Sequence, residues 1–233
     1  MKRSFVIITI MVLASLTGCL VSSLHPFFKE KDKIYDPILT GTWIDGDSCI
    51  WTIELDKFLD PISGQEKNDG NYNITYYEDR DSKSELIGTL FKLAGVTYVD
   101  FIPDPDGDNI TSDMASWHHI PVHTLARVQY NSDSIMLYWF ADEWLTELFE
   151  QKRIRIKHET VESGDYDRHV LTASTDDLQK FIKKYVNGSK MAGEVEKVFA
   201  RGYTDDQEGY GIFLKLKPYD GPLPSAPGQV QVN

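Results

Sequence analysis

The sequence predicts a mainly β fold, in which an antiparallel meander forms a closed or half-open barrel accompanied by two late helices. Up to residue 140, short runs of β-branched and aromatic residues alternate with turn signals, which is typical of successive antiparallel strands. After residue 140 the apolar residues recur with a helical period. Because a long meander has exposed edges, closing the sheet into a barrel removes them.

The predicted strands are short and are bounded by compact turns such as Ala94-Gly95 and Asn131-Ser132-Asp133. Nine or ten are expected: Thr40–Ile44, Cys49–Leu55, Tyr72–Tyr77, Glu85–Leu93, Val96–Ile102, His123–Tyr130, Ile135–Phe140, Ile154–Val161, Arg168–Ala173 and Glu194–Arg201.

Each predicted helix has an acidic start and one apolar face. The first begins at Asp142-Glu143 and places Trp144, Leu145, Leu148 and Phe149 on one side. The second begins at Ser174-Thr175-Asp176-Asp177 and ends at Asn187-Gly188. Its apolar stripe consists of Leu178, Phe181, Ile182, Tyr185 and Val186.

Alternation in Val96–Ile102 gives two apolar faces, with Tyr98 and Asp100 on one and Val99 and Phe101 on the other. A barrel whose outer face is covered by helices has this pattern, and so has a two-layer sandwich. In the ligand-binding interpretation, the lumen is lined by Trp43, Trp51, Tyr72, Tyr76 and Tyr98, whose tyrosine hydroxyls orient a guest. In the alternative interpretation, the same aromatic residues fill a solid core.

The first 19 residues have the layout of an export signal. Lys2 and Arg3 precede an apolar run of roughly a dozen residues, and Leu16-Thr17-Gly18-Cys19 follows at once. This layout resembles the lipobox of bacterial lipoproteins. The resemblance implies cleavage before Cys19, acyl chains on Cys19, and location in the cell envelope. Leu20 after the cysteine, rather than aspartate, implies sorting to the outer membrane in a two-membrane organism.

Removal of residues 1–18 would change the formal net charge from −12 to −14, because two basic residues and no acidic ones are lost. An acidic surface of this kind disfavours nucleic acids and anionic head groups as partners. The expected partners are the membrane, through the acyl chains, and either a lipophilic small molecule or an envelope protein.

Four regions are expected along the chain. They are a signal peptide at 1–18, a lipidated N-terminus and tether at 19–38, one β-rich domain at 39–203, and a loop with a disordered tail at 204–233. Within the tether, Pro26-Phe27-Phe28 could instead dock on the domain or dip into lipid.

Leu39-Thr40-Gly41-Thr42-Trp43 opens the first main strand and resembles the Gly-x-Trp start of lipocalin-like proteins. The resemblance implies that Gly41 permits a tight strand start and that Trp43 closes the barrel floor under a basic residue, for which Arg201 is the candidate. The elements after Phe140 depart from the eight strands and one helix of that family.

Few residues are candidates for a catalytic or metal-binding role. With Cys19 acylated, Cys49 has no disulfide partner and is expected to pack as a buried apolar residue. His118, His119 and His123 have a weak metal-binding character, but zinc requires further ligands across the sheet. No cofactor is expected, and the sequence contains no Gly-x-Ser-x-Gly, phosphate-loop or His-Glu-x-x-His motif.

The leading functional hypothesis is binding of a lipophilic or other small envelope ligand in the barrel. The alternative is a non-catalytic interaction or assembly module that holds a protein partner through its acidic surface and helix-bearing side. An enzyme without a recognisable motif is the third hypothesis. A cavity would favour the first hypothesis, and a filled interior would favour the second.

Overall fold

The structure is a computed structural model that describes residues 20–59, 62–79, 82–107, 118–140, 142–163, 166–186 and 213–224. The strands in these ranges are β1 (Ser22–Ser23), β2 (Gly41–Ile44), β3 (Ile50–Leu59), β4 (Glu66–Tyr77), β5 (Lys83–Leu93), β6 (Val96–Pro103), β7 (His123–Asn131), β8 (Ser134–Trp139), β9 (His158–Ser163), β10 (Tyr166–Leu171) and β11 (Phe213–Pro218). The α-helices are α1 (Asp142–Glu150) and α2 (Thr175–Val186). Two short 3-10 helices, Glu30–Asp32 and Pro37–Leu39, precede β2.

Within the described part, eight strands close into an antiparallel barrel in the order β2, β3, β4, β5, β6, β7, β8 and β11. The closing pairs are β11 with β2, where Pro218 faces Trp43, and β11 with β8, where Leu216 faces Ile135. The prediction of a mainly β barrel with two late helices is confirmed.

The closing strand lies in the region that the sequence assigned to a loop and disordered tail. That expectation is wrong for Phe213–Pro218, which form β11. Leu216 is buried and Leu214 is partly buried in the barrel core, whereas Lys215 and Lys217 are exposed. The alternation of apolar and polar residues typical of a strand is therefore present here. It spans only a few residues and is followed by a proline-rich stretch. The predicted strand Glu194–Arg201 lies outside the described residues.

The segment from Leu20 to Thr40, called here the strap, runs over the barrel. Val21 and Phe27 are fully buried, and β1 lies between β7 and β10, parallel to β10. The tether expectation is therefore wrong for the described residues 20–38, and the alternative, docking of Phe27 on the domain, is confirmed. β10 also pairs with β9, which is the last described strand at this end of the sheet.

Two apolar cores lie on opposite faces of the barrel wall. The barrel core contains inward-facing residues such as Trp51, Val99 and Leu137. The outer core lies between the outer face of the barrel wall, the strap and the two helices, and includes Phe91, Leu125 and Phe140. The wall strands are consequently apolar on both faces.

Ser174 caps the start of helix α2 through two hydrogen bonds with Asp177. Ser174 Oγ accepts a bond from the Asp177 amide at 3.3 Å and donates to Asp177 Oδ2 at 3.1 Å. Leu178, Phe181 and Ile182 are buried in the outer core, as their spacing predicts. Leu145 and Leu148 of α1 are buried in the same core.

Candidate functional site

The barrel lumen holds four of the five proposed ligand-lining aromatic residues. Trp43, Trp51 and Tyr72 are buried there, and Tyr76 packs against them as a partly buried residue. The ring centroids of Trp51 and Tyr76 are 4.7 Å apart, as are those of Phe101 and Trp139. These distances are typical of packed aromatic pairs.

The lumen contains an apolar cavity of about 30 Å³. Its lining consists of Leu39, Trp51, Ile53, Tyr72, Ile74, Leu90, Val99, Phe101, Val128 and Leu137. Small-molecule pockets have volumes of roughly 300–1,000 Å³, so this cavity is about tenfold too small for an elongated guest. The geometry favours the solid-core interpretation of the described lumen.

The polar atoms of these aromatic residues are bonded within the protein. Trp51 Nε1 donates to Asp45 Oδ2 at 3.1 Å. Tyr72 Oη accepts from the Asp36 amide at 2.8 Å and donates to the Asp36 carbonyl at 3.1 Å. The tyrosine expected to orient a ligand thus orients the strap instead.

Tyr98 does not line the lumen, so its assignment there is wrong. It is fully buried in the outer core, where its ring stacks on Phe91 with centroids 5.5 Å apart. Val99 and Phe101, its neighbours of opposite parity on β6, face the barrel core. Because both faces of β6 are apolar, the sequence did not distinguish the two directions.

Gly41 and Trp43 begin β2, as the lipocalin-like resemblance implied. Gly41 has a φ of 138°, a conformation that favours glycine. Trp43 is buried and donates from Nε1 to the Leu39 carbonyl at 3.0 Å. Arg201, the candidate for stacking on Trp43, lies outside the described residues.

Asp36 connects the strap to two barrel tyrosines. Besides its backbone bonds with Tyr72, its Oδ2 accepts a 3.0 Å bond from Tyr130 Oη. Burial, reinforced by the hydrogen bond and charge of Asp36, raises the pKa of Tyr130 to about 12. Burial also raises the pKa of Tyr72. Both phenols therefore stay protonated at neutral pH and serve as hydrogen-bond donors.

Asp100 is a second polar connection, buried under the strap on the outer face of β6. Its Oδ2 accepts the Phe27 amide at 2.8 Å, and its Oδ1 lies 2.6 Å from His123 Nδ1. Burial raises the pKa of Asp100, and His123 and the Phe27 amide partly offset this shift. Sequence reasoning missed this pair because Asp100 and His123 lie on different strands.

The three histidines of the weak metal hypothesis have different surroundings. His118 and His119 are exposed, whereas His123 is half-buried and bonded to Asp100. Among the described residues, no group of three or more His, Cys, Asp or Glu side chains is arranged to hold a metal ion. His123 therefore has a structural role: it is bonded to Asp100, whose other carboxylate oxygen holds the strap at Phe27.

Cys49 is buried directly before the start of β3, as expected for a packing residue. Its Sγ lies 3.9 Å from the Glu78 carbonyl. Burial raises the pKa of the Cys49 thiol, an effect that a hydrogen bond with Tyr76 partly offsets. A protonated thiol is a poor nucleophile, so this position favours packing over catalysis.

No helix in the described ranges combines the length and apolar character needed to cross a membrane. No protein-family model, no curated protein and no solved structure matches this chain. The functional interpretation therefore depends on the chain's own residues and geometry.

Proposed function

We propose that this chain is a lipid-anchored protein of the bacterial envelope, and that its folded part is a non-catalytic module that binds an envelope partner through its outer surface. The proposed anchor is supported by Lys2, Arg3, the apolar run and Leu16-Thr17-Gly18-Cys19. Several acyl chains on Cys19 would bind a bilayer firmly, because each buried methylene contributes about 0.8 kcal/mol.

The strap determines how such an anchor would hold the domain. Leu20 packs against the barrel core, and the Val21 amide donates to the Phe140 carbonyl at 3.0 Å. Consecutive Cα atoms are about 3.8 Å apart. An acylated Cys19 would therefore be separated by a single peptide bond from Leu20, which packs on the folded domain. The domain would then lie directly against the bilayer, without a flexible spacer.

The observation that carries the outer-surface proposal is the filled lumen. The apolar cavity that the described lumen residues enclose, about 30 Å³, has no room for an elongated guest. The hydroxyl of Tyr72 is also occupied by Asp36. These features favour the interaction module over ligand binding in the barrel.

The enzyme hypothesis gains little from the buried Asp100–His123 pair. Both oxygens of Asp100 are occupied, Oδ1 by His123 and Oδ2 by the Phe27 amide. A catalytic histidine also needs a substrate site within hydrogen-bond reach. The pair is better explained as the connection between strap and barrel.

Native mass spectrometry of the acylated protein, isolated from its own membrane, tests the proposal. We expect a protein subunit at fixed stoichiometry that dissociates as ionic strength rises, because the mature surface is strongly acidic. The matched control is Val128→Ile, which adds one methylene to the lumen cavity and should leave the complex unchanged. An equimolar small molecule that is retained by the natural chain and lost from Val128→Ile would contradict the proposal.

A further inference from the structure

Four basic side chains border one groove on the outer surface of this acidic protein. Arg155 and Lys157 lie on the segment before β9, and Lys180 and Lys184 lie on α2. Asp177 is the one carboxylate among the described lining residues, so these residues have a formal charge of +3, whereas the whole chain has −12. Basic residues concentrated in a cleft favour an anionic ligand there.

The floor of this basic groove is apolar. Ile154, Ala173 and Phe181 are buried members of the outer core, and Ile156 is partly buried beside them. The groove has a volume of about 460 Å³, which lies within the range of small-molecule pockets. An apolar floor under charged walls is suited to a ligand with a hydrocarbon portion as well as an anionic group.

Backbone hydrogen bonds hold the two sides of the basic groove in place. The Thr172 amide donates to the Lys157 carbonyl at 3.0 Å, which fixes the segment before β9 next to the residues leading into α2. The two hydrogen bonds between Ser174 and Asp177 fix the start of α2. The groove therefore has a defined shape without a ligand.

The charges on the groove walls are unevenly compensated. Lys180 Nζ forms a 2.9 Å salt bridge with Asp177 Oδ1. The hydrogen bond from Lys180, together with smaller effects that include the charge of Lys157, lowers the pKa of Asp177. The side chains of Arg155 and Lys157 form no hydrogen bond or salt bridge with another described residue. Arg155 and Lys157 are thus the cations best placed to bind a ligand's anionic group.

We propose that the basic groove binds one small amphipathic anion, an alkyl phosphate or alkyl carboxylate. The anionic head contacts Arg155 and Lys157 through charge-assisted hydrogen bonds, and the hydrocarbon lies on Ile154, Ile156 and Phe181. This site is on the outer surface and does not depend on the proposed lipid anchor. Because the lumen is filled, the outer surface is the part of the domain that a ligand can reach, and the proposal names the class of ligand that binds there.

Calorimetric titration of the full chain with octyl phosphate tests this proposal. The chain is held in phosphatidylcholine nanodiscs if it is acylated and in buffer if it is not, and titrations of protein-free samples are subtracted. We expect octyl phosphate to bind at least tenfold more tightly than inorganic phosphate, because a fully buried methylene gives about fourfold in affinity. It should bind about three- to tenfold more tightly than octanol, because octanol lacks the anionic head that pairs with Arg155 and Lys157. Equal affinity for octyl phosphate and either probe would overturn the proposal.

Two variants locate the binding site. The double variant Arg155→Ala/Lys157→Ala should weaken octyl phosphate binding about three- to tenfold, the effect of two exposed charge pairs. The matched control Lys31→Ala/Lys92→Ala removes two exposed lysines elsewhere and should bind like the natural chain. Asp177→Asn should tighten binding, because it removes a negative charge from the groove lining. Unchanged binding in the Arg155 and Lys157 double variant, or weaker binding in Asp177→Asn, would overturn the proposal.

Discussion

The hydroxyl of Tyr130 on β7 donates a 3.0 Å hydrogen bond to the carboxylate of Asp36 in the strap. Asp36 is 94 residues earlier in the chain, and its backbone is also bonded to Tyr72. One strap residue is therefore fixed to the ends of two barrel tyrosines. This relationship makes the strap part of the folded unit rather than a spacer.

Tyr130→Phe should destabilise the fold by about 1 kcal/mol at pH 7, the usual contribution of one hydrogen bond. The pKa of Tyr130 is raised from 10 to about 12 in the folded state. Its stabilising contribution is therefore complete below pH 10 and is lost as pH rises from 10 to 12. Urea unfolding at several pH values should show a steeper alkaline loss for the natural chain than for Tyr130→Phe.

The matched control for this experiment is Tyr77→Phe, at a partly buried tyrosine of β4. It should retain the natural alkaline slope. If Tyr130→Phe retains that slope as well, the bond to Asp36 does not contribute to stability.

Asp100→Ala should destabilise the fold by about 2–3 kcal/mol, because the buried Phe27 amide and His123 lose their acceptor. Asp100→Asn keeps the size and an acceptor oxygen, and should cost less. Thermal unfolding of both variants at pH 7 measures the difference. Equal stability of Asp100→Ala and the natural chain would contradict the role of this carboxylate in holding the strap.

The raised pKa of Asp100 also predicts that the stability of the fold depends on pH in the acidic range. Burial raises the pKa of Asp100 above 3.8, so the folded state binds more protons than the unfolded state from about pH 4 upward. Stability of the natural chain should therefore fall, relative to Asp100→Asn, as pH rises through this window. A relative gain in stability over the same window would show that the attraction of His123 outweighs burial.

Trp43→Ala should cost about 3–5 kcal/mol, because the ring is buried in the barrel core and donates to Leu39. Leu223→Ala is a suitable control, since Leu223 is exposed and should change stability by less than about 0.5 kcal/mol. Denaturant unfolding gives both values. A loss below 1 kcal/mol for Trp43→Ala would be inconsistent with a core position.

The sequence predicted the strands whose alternation is long and bounded by turns, such as β5 and β6. It missed β11, where the alternation of Leu214 and Leu216 with lysines is short and is followed by prolines. The sequence also predicted a tether at residues 19–38, because the charged run Lys29-Glu30-Lys31-Asp32-Lys33 is typical of an exposed linker. In the structure, Val21 and Phe27 of this region are fully buried.

The candidate site was less predictable than the fold. Alternation identified the two faces of β6, but both are apolar, so only the tertiary packing places Tyr98 in the outer core. The basic groove combines residues from the segment before β9 and from α2. Such a combination of separate segments has no local sequence signal.

Replacing the proposed acylation site should change location without changing the fold. Cys19→Ala removes the acyl attachment point and should release the protein from the membrane fraction, while its barrel unfolds at the natural temperature. Fractionation by centrifugation, followed by thermal unfolding, measures both properties. Continued membrane attachment of Cys19→Ala would mean that another segment provides the anchor.

Intact-mass and N-terminal peptide mass spectrometry of the protein extracted from its own cells tests the central claim most directly. The account predicts a chain that begins at Cys19 and carries the added mass of fatty acyl chains. A protein that retains residues 1–18 and an unmodified Cys19 thiol would contradict it.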